Sequence, residues 1–415
     1  MVDTRSEGKA FAISKVLVWK AYLKVKANKG AAGIDGQSLA DFAEDEKNNL
    51  YKIWNRMSSG SYIPPAVRRV EIPKASGGKR PLGIPTVSDR IAQMVVKMYL
   101  EPEVEPYFHK DSYGYRPKKS AIEALGVARE RCWRYDWVLD LDIRGFFDNL
   151  DHELLMRAVE KHTDCKWILL YIERWLKAPV KGEDGALTDR DKGTPQGGVI
   201  SPFLANLFLH YALDEWMRKN YPDIPFERYA DDAVFHCKTE EDAKTLKEAI
   251  EKRLAECRLE IHPEKTKIVY CKDGKRRKDY PEEKFDFLGY TFRPRKAKNY
   301  RGQYFCNFSP AVSRTAKKEM SRMIKNWKIP RYSGNTLEDL SEKINPTLRG
   351  WVNYYGRYYR SGLQPIFRQL DCALMRWGMK KYKRFRDQQK AVAYWLKGIA
   401  KQSPGLFVHW SMRIA

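Results

Sequence analysis

The stretch FERYADDAVFHC, Phe226 to Cys237, sets two adjacent carboxylates, Asp231 and Asp232, inside an apolar run. Successive residues of a strand point to opposite faces, so no flat strand aims both acids one way. Burying either acid without a partner is costly. The pattern predicts strand, tight turn, strand, with the acids at the turn. Taken alone, such a pair is also ordinary turn chemistry. Its meaning depends on what surrounds it.

A second acidic strand lies upstream. WVLDLDIRGFFDNLDH (Trp137–His152) begins as a strand with Leu139, Leu141 and Ile143 on one side and Asp140 and Asp142 on the other. Between the two acidic sites, KGTPQGGVISPFLANLFLHYALDEWM opens as a Gly/Pro loop. From Ser201 it reads as one long apolar helix, with Pro202 suited to the first turn. RRVEIPKASGGKRPLGIPT (Arg68–Thr86) reads as two short strands around ASGG. Helices are expected over 11–30, 88–101, 119–133, 151–163 and 240–257. Strands are expected near 259–262 and 267–271, and EEKFDFLGYTF reads as one more. Beyond about 300 the pattern is mainly helical, after a cationic linker at RPRKAKNYRGQ (293–303). Three carboxylates from two strands can hold two Mg²⁺ ions roughly 4 Å apart, the arrangement that stabilises attacking and leaving oxygens in phosphoryl transfer. Mg²⁺ prefers such hard oxygen ligands.

The 415 residues carry a formal charge of +24, and it is unevenly placed. From Thr291 onward there are 27 Lys/Arg against 6 Asp/Glu, leaving 50 and 47 for everything before. The same 125 residues hold 20 aromatics, in runs such as WVNYYGRYYR (Trp351–Arg360). Cations for phosphates and rings for bases are the footprint of nucleic-acid binding. No apolar run approaches the ~20 residues that span a bilayer, and MVDTRSEGKAFAISK lacks a signal peptide's apolar segment. A cytoplasmic protein with no membrane partner is expected. The seven cysteines form no CxxC pair, which fits reduced thiols better than a disulfide or zinc framework. His236 and His262 lie on expected strands and read as packed. No Ser/His/Asp set and no Walker-type phosphate loop stands out.

The blocks, in order, resemble a known family. RYADDAVF is similar to the YxDD box of reverse transcriptases, and DIRGFFDNLDH to their first palm motif. GTPQGGVISPFLANLFL resembles the motif between them, and IPKASGGKRPLGIPTVSDR the fingers motif. SYGYRPKKSAIEAL, LEIHPEKTKIV and FDFLGYTF match further blocks, and NKGAAGIDG the N-terminal extension. LRGWVNYYGRYY resembles the thumb, or maturase, region of bacterial group II intron reverse transcriptases. The resemblance covers about residues 15–385.

It implies an α+β right-hand polymerase: an antiparallel palm sheet with fingers, then a helical thumb. The expected divisions are 1–60 (N-terminal extension and start of the fingers), 61–292 (fingers and palm), 293–385 (thumb and maturase region) and 386–415 (a short basic segment, read as a DNA-binding remnant). An H-N-H endonuclease is not expected. Asp142, Asp231 and Asp232 would be the catalytic metal ligands, with the Ile143 carbonyl as a further one. They would hold two Mg²⁺ ions, with Mn²⁺ as a substitute. Lys74 and Arg80 would clamp the triphosphate of a dNTP. Phe147, five residues after Asp142, would be the gate against a 2′-OH. Gln196 and Gly197 would line the nucleotide pocket, and Lys265 would donate a proton to pyrophosphate. Tyr229 would meet the primer end; Arg349, Trp351 and Tyr354 would face RNA. The implied partners are an RNA template, a DNA or RNA primer, intron RNA and a DNA target. The implied function is RNA-directed DNA synthesis with assistance to splicing and retrohoming. Two alternatives stay open: a free-standing or domesticated reverse transcriptase, and an RNA-binding splicing cofactor without polymerase activity.

Overall fold

The computed structural model describes residues 9–73, 78–298 and 301–412. The chain divides into two compact units, Met1–Ala128 with Trp137–Ile268, and Arg129–Asp136 with Val269–Ala415.

The first unit opens with helices α1 (Lys15–Asn28), α2 (Leu39–Glu44) and α3 (Glu46–Ser58). A hairpin, β1 (Val67–Pro73) and β2 (Lys79–Ile84), leads into α4 (Val87–Val104) and α5 (Ala121–Cys132), whose last turn belongs to the second unit. Then come β3 (Trp137–Leu141), α6 (Phe146–Asn149), α7 (His152–Glu160), α8 (Lys166–Lys177) and the short strands β4 (Val180–Lys181) and β5 (Leu187–Thr188). The unit continues through α9 (Ser201–Leu209), α10 (Glu215–Asn220), β6 (Phe226–Tyr229), β7 (Asp232–Cys237) and α11 (Glu240–Glu256), and the chain leaves it along β8 (Lys267–Tyr270). One sheet runs β2-β1-β4-β5 and the other β6-β7-β3-β8.

The second sheet positions the acids. β3 and β7 are antiparallel, with Asp140 opposite Val234 and Leu141 opposite Ala233. β6 and β7 form a hairpin closing at Tyr229 opposite Asp232. Asp142, one residue past Leu141, therefore comes level with Asp232 at the ends of neighbouring strands. Ala233–Cys237 are all buried, as are Trp137–Leu139. This buried sheet leaves its strand ends as the place where a carboxylate can reach water.

The expected long apolar helix after Ser201 is interrupted. α9 is buried almost all round, but His210–Asp214 form a π-helical turn before α10. The inserted turn carries Asp214, fully buried, to Arg228. Of the expected strand near 259–262, only a single bridge remains, Ile261 with Ile143.

The second unit holds β9 (Phe285–Phe287), β10 (Tyr290–Lys298), β11 (Tyr304–Val312) and helices α12 (Arg314–Asn326), α13 (Leu337–Tyr355), α14 (Gln364–Lys381), α15 (Gln389–Gln402) and α16 (Val408–Ser411). Here the sequence reading needs two corrections. EEKFDFLGYTF is not one strand: Leu288 (φ 50°) and Gly289 (φ 77°) both take the left-handed conformation that closes a two-residue hairpin between β9 and β10. The expected linker at 293–303 is largely strand, because β10 runs on to Lys298 and pairs with β11 from Tyr290–Val312 to Lys298–Tyr304. Its cations are anchored; the Arg295 guanidinium donates to the carbonyls of Ser309 (3.0 Å) and Thr291 (2.9 Å).

The segment after 386 also differs from an appended tail. Val392, Leu396, Phe407 and Trp410 are buried in the same cluster as Leu348, Leu370 and Trp377. Trp351 belongs to that cluster too, 9% exposed and stacked on Trp327 at 5.6 Å. It is a core residue rather than a face for RNA. The half-buried Tyr354 spends its hydroxyl on the Leu288 carbonyl (2.9 Å). Arg349 and Gly350 are exposed.

Trp351→Ala is expected to lower unfolding stability by about 3–5 kcal/mol, the usual scale for truncating a buried tryptophan. Arg349→Ala, two residues earlier, should stay within about 0.5 kcal/mol. Denaturant melts of the two variants check the assignment of core and surface.

Candidate active site

The β6–β7 turn is two residues long, Ala230 and Asp231, and Ala230 sits at φ 59°. The left-handed region costs an L-residue about 1–2 kcal/mol, so something must hold it there. Arg228 does. Its side chain is fully buried. Nε donates to Asp214 Oδ1 (2.7 Å); Nη2 donates to Asp214 Oδ2 (2.6 Å) and to Ser112 Oγ (2.9 Å). Nη1 donates to Asn206 Oδ1 (3.0 Å) and to the Ala230 carbonyl (2.9 Å). A guanidinium has five N–H donors, and all five are used. Gly114 closes the turn from the other side: a Cβ there would lie 2.4 Å from the Ala230 nitrogen. Asn206 also donates to the Gly114 carbonyl. The turn is thus gripped between the Ser112–Gly114 segment, α9 and the π turn.

The three acids crowd one another. Burial, then the charges of Asp231 and Asp142, push Asp232 up to about 7. Burial and the charge of Asp142 raise Asp231, against the pull of Arg80 and Lys265. The Asp232 residue nevertheless keeps surface open to solvent at the strand end. Asp142 is pinned by the segment 262–266. His262 N–H donates to its carbonyl (2.7 Å), and its own N–H donates to Thr266 Oγ1 (3.3 Å). Lys265 Nζ reaches both Asp142 carboxylate oxygens at 3.1 Å. The lysine expected at the pyrophosphate is therefore on the Asp142 carboxylate itself. Among the described residues no three His, Cys, Asp or Glu side chains are gathered closely enough to share an ion. The acids stand as mutually repelling neighbours, with hard oxygen donors suited to Mg²⁺.

Arg80, whose charge acts on Asp231, leads to the loop that carries Gln196. Arg80 Nε donates to Gln196 Oε1. Gln196 Nε2 in turn faces the Asp148 carboxylate at 3.3 and 3.4 Å. The Gly83 N–H donates to the Gln196 carbonyl (2.7 Å), locking the loop to β2. Gly197 is required here: its φ is 118°, and a Cβ would lie 2.5 Å from the Gly83 oxygen. A cavity of about 340 Å³ is lined by Leu82, Gly83, Asp148, Arg190 and Gln196 among others. Phe147 is 7% exposed and packs edge-on to Phe146 at 5.4 Å. Ile143 is buried in its bridge to Ile261. Tyr229 is half-buried, its ring 6.3 Å from that of Tyr115. Tyr115 is a neighbour that the sequence reading missed; burial and then the charge of Asp231 raise its phenol. Lys74 lies outside the described residues. His236 is buried on Glu227 (2.6 Å), as packing required.

Carboxylates at the ends of adjoining antiparallel strands, faced by a guanidinium–glutamine loop, define the palm of a nucleotidyl-transferring polymerase. Residues 72–292 match the model of the family described as reverse transcriptase (RNA-dependent DNA polymerase). Residues 317–395 match the group II intron maturase-specific domain. The chain is similar to protein YkfC of Escherichia coli, 29% identical over 351 residues that cover 75% of this chain and 88% of that one. It is similar to the group II intron-encoded protein LtrA of Lactococcus lactis, 30% identical over 348 residues, 68% of this chain and 55% of that one. It thus spans about half the length of the lactococcal relative. The chain belongs to the reverse transcriptases, the RNA-dependent DNA polymerases, of the group II intron kind that carries a maturase-specific domain.

Arg228→Ala strands Asp214 in the core and is expected to destabilise by about 3–5 kcal/mol. The apolar pair Arg228→Met with Asp214→Leu should recover most of that stability in a chemical melt while polymerase activity stays lost, because the turn has no grip. Gly114→Ala should keep a folded protein but cut nucleotide incorporation by about 100-fold, the scale at which a small misplacement of catalytic groups is felt.

Proposed function

We propose that this protein adds dNTPs to the 3′-OH of a DNA or RNA primer under the direction of an RNA template, and that it binds intron RNA to assist splicing and retrohoming. The observation that carries the polymerase reading is the meeting of Asp142, Asp231 and Asp232 at adjacent strand ends, opposite the Arg80–Gln196 loop. The three carboxylates and the Ile143 carbonyl are hard oxygen donors of the kind Mg²⁺ prefers, and they would hold two Mg²⁺ ions, with Mn²⁺ as a substitute. Bound there, the ions would supply Lewis acidity to the attacking 3′-oxygen and to the departing pyrophosphate.

The remaining roles fall to the protein. Arg80 offers a planar fork to the triphosphate, and Lys74 would add a second charge to it. Gln196 and Gly197 bring side chain and bare backbone against the nucleotide. The Phe147 ring edge excludes a 2′-OH. Lys265, already on Asp142, places its ammonium at the reacting centre as a proton donor to pyrophosphate. Tyr229, beside Tyr115, takes the primer end. Positioning and charge carry most of such a reaction.

The maturase role rests on the second unit, where the excess positive charge lies. Exposed cations such as Arg349 would hold intron RNA, template–primer duplex and a DNA target by their phosphates. Trp351 and Tyr354 would serve by holding the helices that carry those cations. Work in the cytoplasm fits this reading; among the described residues no helix is long and apolar enough to cross a membrane.

With poly(rA)/oligo(dT), dTTP and Mg²⁺, the wild type is expected to incorporate nucleotide and Asp231→Ala to lose about 1000-fold, the scale of losing a key electrostatic stabiliser. Equal activity in the two would refute the assignment. Phe147→Ala should raise UTP use relative to dTTP by about tenfold or more, as expected when a steric pocket contact is removed.

A further inference from the structure

The loop that carries Gln196 runs directly into α9, and the start of α9 has a problem. The first N–H groups of a helix lack partners within it. The residue at the cap position is Ile200, whose side chain accepts nothing. The acceptor comes from elsewhere in the fold. Gln93, 2% exposed on α4, places Oε1 at 2.8 Å from the Val199 nitrogen and 3.3 Å from the Ile200 nitrogen. Both N–H groups donate to it. Gly198 fits against the same oxygen; a Cβ there would lie 3.3 Å away.

The other end of the Gln93 amide is fixed too. Its Nε2 donates to Asp89 Oδ2 (2.9 Å). Asp89 is 1% exposed and also accepts from Trp175 Nε1 (2.7 Å) and Tyr62 Oη (3.0 Å) at Oδ1. Burial pushes its carboxyl up to about 6, and the three donors hold it from rising further. Near neutral pH it is therefore an acceptor only. Val199 and Ile200 N–H can only donate. The amide between them has one orientation that satisfies both sides; flipped, it would face donor with donor and acceptor with acceptor.

The geometry points to Gln93 as a positioning residue for the nucleotide-binding loop, with Asp89 setting the direction of its amide. Through Tyr62 and Trp175 the chain of bonds ties the loop to the segment after α3 and to α8. Gln196, three residues before Val199, is thus braced by a side chain that touches no substrate. This rests on the polymerase reading above, and the test separates the two.

The test is a direction swap. Gln93→Ala removes the brace. Gln93→Glu alone sets two carboxylates against each other. Asp89→Asn alone sets amide donor against amide donor. Together, Asp89→Asn with Gln93→Glu reverses the middle bond: the amide introduced at position 89 donates to the carboxylate introduced at position 93, whose other oxygen still accepts from Val199 and Ile200. Net charge and every hydrogen bond are kept. Steady-state dTTP kinetics on poly(rA)/oligo(dT), thermal melts and hydrogen exchange of the 194–203 peptide are measured on the full chain. The three single variants should raise KM for dTTP about tenfold with kcat changed by less than about threefold, the effect of losing one well-placed hydrogen bond. Exchange at Val199 and Ile200 should quicken about tenfold. The double variant should return both quantities to within about threefold of wild type. A Gln93→Ala protein that melts lower but keeps its KM, or a double variant no better than the singles, overturns the inference. A wild type that incorporates no dTTP overturns the polymerase reading instead; the exchange rates then decide the brace, and exchange unaltered by Gln93→Ala sinks it.

Discussion

The buried guanidinium of Arg228 is the contact on which the turn carrying Asp231 depends. A cation with no exposure is tolerable only if its charge is matched and its donors are filled. Asp214 supplies the charge through two bonds, and Ser112, Asn206 and the Ala230 carbonyl fill the rest. Each acceptor belongs to a different segment, so satisfying one side chain fixes several pieces of backbone together. The bond to Ala230 is the one that matters for chemistry, because it closes the turn that presents Asp231. The π turn at His210–Asp214 then has a physical reason. π turns often mark functional positions, and here the extra residue carries Asp214 to the guanidinium.

This rigidity is needed because the site is unstable in itself. Three carboxylates share a small region, and burial together with their mutual charge raises Asp231 and Asp232. Left mobile, such acids would turn away from one another. Asp142 is held through its backbone by His262 and Thr266 and through its carboxylate by Lys265. Asp231 and Asp232 are held by a two-residue turn with no slack. The strain of Ala230 in the left-handed region belongs to the same pattern, since local strain persists where surrounding structure over-determines it. Stability elsewhere in the fold offsets the mutual repulsion of these acids.

What was legible in the sequence, and what was not, follows from the range of the interaction concerned. The strand–turn–strand at 226–237, the acidic strand at 137–142 and the helix at 240–256 are local patterns, and local patterns carried them. Asp142 and Asp232 meeting at neighbouring strand ends required strand order, which only the ordered motif set supplied. Arg228 went unremarked although its place was a signal: an arginine two residues from Phe226 and from Ala230, on their face of the chain, needs a buried partner. Asp214 sat on the far side of an apparently continuous helix, and the π turn that aims it has no sequence signature of its own. The hairpins at 285–298 and 290–312 were missed because cations alternating along a strand look like a charged linker. In the fold Lys296 and Lys298 lie over the Tyr304 ring, and the Arg295 guanidinium is taken up by carbonyls of its own hairpin.

The second unit shows how composition can point to the right partner through the wrong residues. Its many aromatics suggested stacking platforms for bases, yet Trp351, Trp377, Phe407 and Trp410 build the core. Trp377 has no exposed surface and is stacked near Trp395 at 6.5 Å. Once these rings are assigned to packing, what remains for nucleic acid is a few exposed rings, Tyr304, Phe305 and Tyr394 among them, and above all charge: 27 Lys/Arg against 6 Asp/Glu from residue 291 on. The rings are still necessary, since a helical unit with so much like charge repels itself and needs a dense apolar core to stay folded. Binding carried by phosphate contacts is strongly salt-dependent and largely blind to sequence. A surface of that kind suits a protein that must hold a template–primer duplex of any sequence while it is copied.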